Sequence, residues 1–268
     1  MDIRYINQGK RGKVGLCNIC KQSASLSWDH VPPKGGIDLT PVDQLTILQC
    51  LTANSDEQKS RISQNGVKYR TLCKQCNARL GHSYDPLLNE FALGVGRVLK
   101  SIVKVPPVIH YRTQPAALIR AILGHLLAAK AFIDNVDVDQ KIRDFLFDEQ
   151  AHLPEDIKIF YWIYPYQEIV VVRDIVMPAI RGNFSKFGFF SGILKYFPIA
   201  YLVCNLEKYE GLDELTVYRN IKLEEVAEIP IHLTSIKHPL WPEITNDGNF
   251  IVGGLNLEGS IYARPRKT

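Results

Sequence analysis

Two Cys-x-x-Cys pairs, Cys17/Cys20 and Cys73/Cys76, constrain this chain more than any other feature. Zinc takes four soft or borderline ligands in a tetrahedron, and each short knuckle aims two thiolates at one ion. The quartet therefore predicts one structural zinc that ties together two distant points of the chain. The same residues paired as disulfides would need an oxidising compartment. The opening Met1-Asp2-Ile3-Arg4-Tyr5 is polar, with no apolar run behind it, so a secretory leader is not expected and the reading is cytoplasmic. A redox role for the pairs would need a thioredoxin-like setting, which the neighbouring residues do not offer. The other two cysteines, Cys50 and Cys204, read as buried small hydrophobes.

Composition enters where it excludes. The chain has 268 residues, 46% of them hydrophobic, enough to bury one large core or two small ones. That content rules out disorder as a whole-chain state. The longest apolar stretch, residues 187–206, contains Lys195, Pro198 and several aromatics, so it reads as buried strands and not as a membrane span. Charge is uneven. Residues 1–104 carry fifteen Lys and Arg against eight Asp and Glu, whereas the remainder carries seventeen against twenty. A basic N-terminal part suggests a polyanionic partner there.

The patterning predicts an α+β fold in two parts, 1–104 and 105–268. In the first, Leu26–Val31 and Val67–Leu72 read as short strands. Residues 35–66 read mainly as a long insertion loop, with a short helix near Val42–Leu51. A short helix follows from Asn77 to Tyr84. Asp85-Pro86 then restarts a helix whose stripe of Leu88, Phe91, Val95 and Leu99 runs to about Val103, before Pro106-Pro107. In the second part, helices are expected over 114–134 and 139–150. Strands follow over 157–164, 168–172, 187–193, 199–205 and 215–218, where β-branched and aromatic residues concentrate.

Between the two knuckles lies Asp29-His30-Val31-Pro32-Pro33-Lys34, and Asn77 immediately follows Cys76. Phosphodiester cleavage needs an activated water, positive charge at the phosphate and help for the leaving oxygen. One hard cation held by few protein oxygens serves the last two needs. Asp29 is a natural ligand, and Asn77 offers an amide oxygen. His30, adjacent to Asp29 on a strand, projects to the other side and is free to face the water. A histidine with a pKa near ~6.5 suits general-base work at neutral pH. Each residue also has a plainer role: His30 as a turn histidine, Asp29 as a turn cap, Asn77 as a helix N-cap.

The order Cys-x-x-Cys, Asp-His-Val-Pro-Pro-Lys, Cys-x-x-Cys-Asn resembles the HNH endonucleases, or ββα-metal nucleases, in the subgroup with a four-cysteine structural zinc. The resemblance covers roughly residues 14–85. It implies a zinc-stapled β-hairpin and helix, with His30 as general base and Asp29 and Asn77 as ligands of a catalytic Mg²⁺ or Mn²⁺. The implied reaction is hydrolysis of DNA to a 5′-phosphate and a 3′-hydroxyl, in settings such as restriction or phage defence. One departure stands out. The family's middle Asn is missing: its place is taken by Lys68, and Asn65 is out of register. In the family that Asn fixes the loop behind the histidine.

Lys34, Arg70, Lys74 and Arg79 cluster around the motif and are candidate phosphate contacts, or simply a solvated face. His82 lies about 140° from Asn77 around a helix of ~3.6 residues per turn, a poor match for a shared site. Asp85 reads as a cap, Trp28 as packing beside the strand, and His125 and His152 as structural helix residues. His232 and His238 show no metal spacing, and the tail Arg264–Lys267 reads as solvated. Residues 105–268 are left with target recognition, homodimerisation or partner docking. An RNA nuclease would use the same residues. A non-catalytic zinc module that recognises nucleic acid or protein would keep the cysteines without needing Asp29, His30 and Asn77 together.

Overall fold

A computed structural model describes residues 12–52, 60–102, 104–131, 137–173, 175–178, 187–188, 191–209, 211–234, 236–243, 252–253 and 259–266. The fold mixes helix and sheet, as the patterning predicts.

The N-terminal strands β1 (Val14–Leu16) and β2 (Ser23–His30) form an antiparallel hairpin around the first knuckle, and β2 pairs on its other side with β5 (Lys68–Cys73). Between β2 and β5 the chain is more ordered than the expected loop. Residues Val42–Thr46 form β3, Ile47–Thr52 form α1, and Arg61–Ser63 form β4; residues 53–59 lie outside the described part. Helix α1 starts where it does because of a reciprocal cap. Thr46 Oγ1 accepts from the Gln49 amide at 2.9 Å, and Gln49 Oε1 accepts from the Thr46 amide at 3.0 Å. Strand β3 pairs with β4 on one edge and, on the other, with β16 (Ile261–Pro265), some two hundred residues away and invisible to a local reading.

Helix α2 (Lys74–Ser83) begins three residues before the expected Asn77. Its N-cap is Cys73, whose sulfur accepts from the Cys76 amide at 3.4 Å. A knuckle cysteine can thus serve as a cap, a role usually filled by Ser or Asp. Helix α3 (Asp85–Leu99) follows with Pro86 in its first turn. Then come β6 (Val108–Thr113), α4 (Pro115–Ala128) and α5 (Asp137–Leu146). Residues 147–150, expected in α5, lie beyond its end, and His152 sits in exposed coil and not on a helix.

The C-terminal strands are β7 (Lys158–Ile163), β8 (Ile169–Arg173), β9 (Ile175–Pro178), β10 (Phe187–Gly188), β11 (Ser191–Tyr196), β12 (Ile199–Cys204) and β13 (Asp213–Glu214), then β14 (Ala227–His232), β15 (Val252–Gly253) and β16. Residues 215–218, expected as a strand, form a 3₁₀ turn instead. Eight strands make one antiparallel sheet in the order β13-β7-β12-β11-β8-β16-β3-β4. Its central strands are covered on both faces, which explains their near-continuous apolar runs. In β12, Ile199, Tyr201 and Val203 enter the core that contains α4, while Ala200, Leu202 and Cys204 enter a second cluster with Trp162 and Trp241.

Helix α4 is the hub. Every one of its residues is buried, so it reads as apolar on all sides. It lies against α2, α3, α5, β5 and β11. At Gly124 it approaches α2 so closely that a Cβ would sit 2.4 Å from Leu80 Cδ2, and Leu80 is itself fully buried. The core thereby runs from Cys17 and Tyr69 on one side of residue 104 to Leu126 and Tyr201 on the other. Among the described residues no helix is long and apolar enough to cross a membrane.

Candidate functional site

The two knuckles meet. The sulfurs of Cys17, Cys20, Cys73 and Cys76 all lie within 4.8 Å of one another, and Cys20 and Cys73 are 3.9 Å apart. A tetrahedron of ~2.3 Å zinc–sulfur bonds needs sulfurs about 3.8 Å apart, so four thiolates so placed can hold a structural metal such as zinc. The thiol protons already divide unevenly. A hydrogen bond from Cys76 holds Cys17 down to about 4, and the same contact pushes Cys76 up. A metal would complete the deprotonation that this contact begins.

The knuckle also grips the hub helix. Asn18, buried between Cys17 and Cys20, donates through Nδ2 to the carbonyls of Leu127 at 2.8 Å and Lys130 at 2.9 Å. Thr71 on β5 donates to the Ala128 carbonyl at 2.5 Å. The Leu127 and Ala128 carbonyls lie in the last turn of α4, groups a helix cannot satisfy within itself, and Lys130 follows just past its end. Arg143 on α5 closes the circuit by donating to the Asn18 carbonyl at 2.7 Å.

Strand β2 carries the motif residues and bulges between Ser27 and Trp28. Bulges of this kind re-aim side chains. Beyond the bulge, Asp29 turns into the protein and is 5% exposed, whereas His30 is half-buried. Burial lowers the His30 pKa, with Lys34 and Lys68 adding to the effect against the opposing pull of Asp29 and the Asn65 backbone. Its Nε2 is buried and has no hydrogen-bond partner among the described residues. A neutral ring with an unsatisfied nitrogen is a proton acceptor in waiting.

Asn77 is not the helix N-cap; it is the fourth residue of α2, at the end of its first turn. Its Nδ2 donates to Ser27 Oγ and to the Trp28 carbonyl, both at 2.9 Å. The second bond sets the amide against the peptide that joins Trp28 to Asp29. Both hydrogen bonds use the nitrogen, so among the described residues Oδ1 is left as an acceptor. Asp29 Oδ2 is occupied by His125, so Oδ1 is its open oxygen. A carboxylate oxygen and an amide oxygen are hard donors, of the kind that Mg²⁺ or Mn²⁺ takes more readily than zinc does.

His125 is the residue that the sequence reading set aside. It is fully buried on α4, with Nδ1 3.1 Å from Asp29 Oδ2 and Nε2 2.9 Å from Asp85 Oδ1. Asp85 is the first residue of α3 but makes no capping bond; its side chain serves His125. Burial alone would strip the ring of charge, yet Asp85 and Asp29 outweigh it and push the pKa up to about 10.

The basic candidates divide. Arg70 stacks over the Trp28 ring at 4.4 Å, and Lys68 lies over the same ring at 5.4 Å. Lys68 also pairs across the strands with His30, so it joins this face although the sequence reading left it out. Lys34 and Lys74 are exposed. Arg79 is turned to packing: it donates to the Phe147 carbonyl at 2.6 Å and covers the Phe147 ring. His82 is exposed, and His232 pairs with Asp213 at 2.7 Å. Comparison with known proteins finds no matching family model, no similar curated protein and no similar solved structure.

Proposed function

We propose that this chain is a metal-dependent endonuclease of the HNH type that hydrolyses DNA phosphodiester bonds. The observation that carries the reading is the placement of His30, half-buried at the end of β2. It lies one residue from Asp29, while Asn77 is bonded to the peptide just before Asp29.

In this reading, Asp29 and Asn77 hold the catalytic Mg²⁺ or Mn²⁺, which when bound supplies positive charge at the scissile phosphate. His30 takes a proton from water as the water oxygen attacks phosphorus. The P–O3′ bond breaks, the 3′ oxygen is reprotonated from solvent, and a 5′-phosphate and a 3′-hydroxyl result. Trp28, Lys68 and Arg70 lie on the His30 side of the hairpin, where a phosphate backbone would pass. The four-cysteine centre fixes the ends of β2 and β5 and so the spacing of the motif. Restriction or phage defence is the setting we propose.

The test is cleavage of supercoiled plasmid by purified protein in Mg²⁺ or Mn²⁺, with and without chelator, beside a structured RNA. Metal-dependent nicking or linearisation is expected. Cleavage of RNA alone would reassign the substrate. Intact DNA and RNA would leave a non-catalytic zinc module as the better reading.

A further inference from the structure

The hydrogen-bond chain Asp85–His125–Asp29 crosses from the start of α3, through the hub helix, to the motif strand. We propose that His125 is a positioning residue for the nuclease site: it orients the Asp29 carboxylate so that the remaining oxygen meets the cation, and Asp85 holds the ring in place. The inference rests on the reading of Asp29 as a metal ligand.

The geometry supports it from both ends. An aspartate on a strand swings freely about two side-chain torsions unless something fixes one oxygen. Here Nδ1 of a fully buried ring fixes Oδ2, and the ring cannot turn because Nε2 is bound to Asp85. Outer-sphere partners of this sort orient ligands and sustain metal affinity. The register of α4 is fixed as well. Asn18 and Thr71 hold its Leu127 and Ala128 carbonyls, within three residues of His125, and Gly124 lets the helix press against α2, which carries Asn77. Both ligand oxygens are therefore referred to one helix. A helix outside the motif region would complete the site, so residues 105–268 would take part in it beyond any role in recognition.

Two substitutions separate positioning from mere packing. The amide nitrogen of Asn stands close to the place of His Nδ1, and that of Gln close to Nε2. His125→Asn keeps a donor toward Asp29 and loses the one toward Asp85, whereas His125→Gln does the reverse. Each loses one buried hydrogen bond, so a structural role would affect both alike. Mn²⁺ binding to the zinc-loaded full chain is measured by electron paramagnetic resonance of free Mn²⁺, beside wild type, Asp29→Asn and Asp85→Asn. The expected result is a half-saturating Mn²⁺ concentration raised ~10-fold or more in His125→Gln, and less in His125→Asn and Asp85→Asn. Equal Mn²⁺ affinity in His125→Gln and His125→Asn, with Asp29→Asn losing the ion, overturns the positioning role alone. Mn²⁺ binding unchanged in Asp29→Asn, or absent in wild type, overturns the ligand reading and the positioning role with it.

Discussion

Asn18 joins the four-cysteine centre to the hub helix, and substitution there gives a sharp test of that link. Two buried side-chain bonds, at 2.8 and 2.9 Å, run from Nδ2 to the Leu127 carbonyl in α4 and the Lys130 carbonyl just past its end. Each contributes about 1–1.5 kcal/mol net, so Asn18→Ala should cost about 2–3 kcal/mol. Part of the loss is offset at Leu127, whose carbonyl keeps a long 3.4 Å contact from the Lys130 amide. Asn18→Asp should cost more than Ala despite its closer shape, because it sets a carboxylate against two carbonyl oxygens in a buried place. At ~2–4 °C per kcal/mol for a chain of this size, thermal melts should fall by about 5–10 °C for Ala. The same bonds should couple to the metal. If the knuckle steadies α4 through Asn18, stripping zinc should destabilise Asn18→Ala less than wild type in urea melts with and without chelator. An Asp variant as stable as Ala, or a chelator effect identical in wild type and Asn18→Ala, would refute the link.

Other predictions follow from the same structure. Elemental analysis should find about one zinc per chain, and Cys76→Ala should lose it together with stability, because structural zinc contributes folding free energy. Asp139 is fully buried against Lys130 and Arg173, the latter at 2.9 Å. Burial raises its pKa, but Arg173, Lys130 and Arg143 outweigh this and hold it below the usual range. Its contribution is thus present above the unfolded value of ~3.9 and lost as the pH falls through the lower folded value. Asp139→Asn should cost about 3–5 kcal/mol at pH 7 by urea denaturation, with the gap to wild type closing as the pH drops below ~4.

The local elements were largely legible in the sequence. Pro86 and Pro115 mark the first turns of α3 and α4, and apolar runs mark β7, β8 and β12. The quartet was legible too, because the spacing within each knuckle carries its geometry. What escaped was set by distant partners. The stretch Val42–Thr46 is a strand held between Ile261–Pro265 and Arg61–Ser63, the first of them far away in sequence. Residues 215–218 have strand composition but no ladder to join, and they close into a turn. His125 looked like an ordinary helix residue, since nothing near it in sequence hints at Asp29 or Asp85. A mostly apolar helix carrying only Arg120 and His125 as ionisable residues was the available signal: a buried ionisable group must find partners. Arg79 shows the converse, a cation beside the motif that its fold turns to an aromatic ring.

The central claim is that His30 is the general base, and it is tested most directly by the single-turnover rate of plasmid cleavage. Wild type and His30→Ala, both zinc-loaded and equally folded, are compared in saturating Mn²⁺. General-base catalysis contributes ~10²–10⁴-fold, so the account predicts a fall of at least about 100-fold in His30→Ala. A variant that cuts within a few-fold of wild type would contradict it.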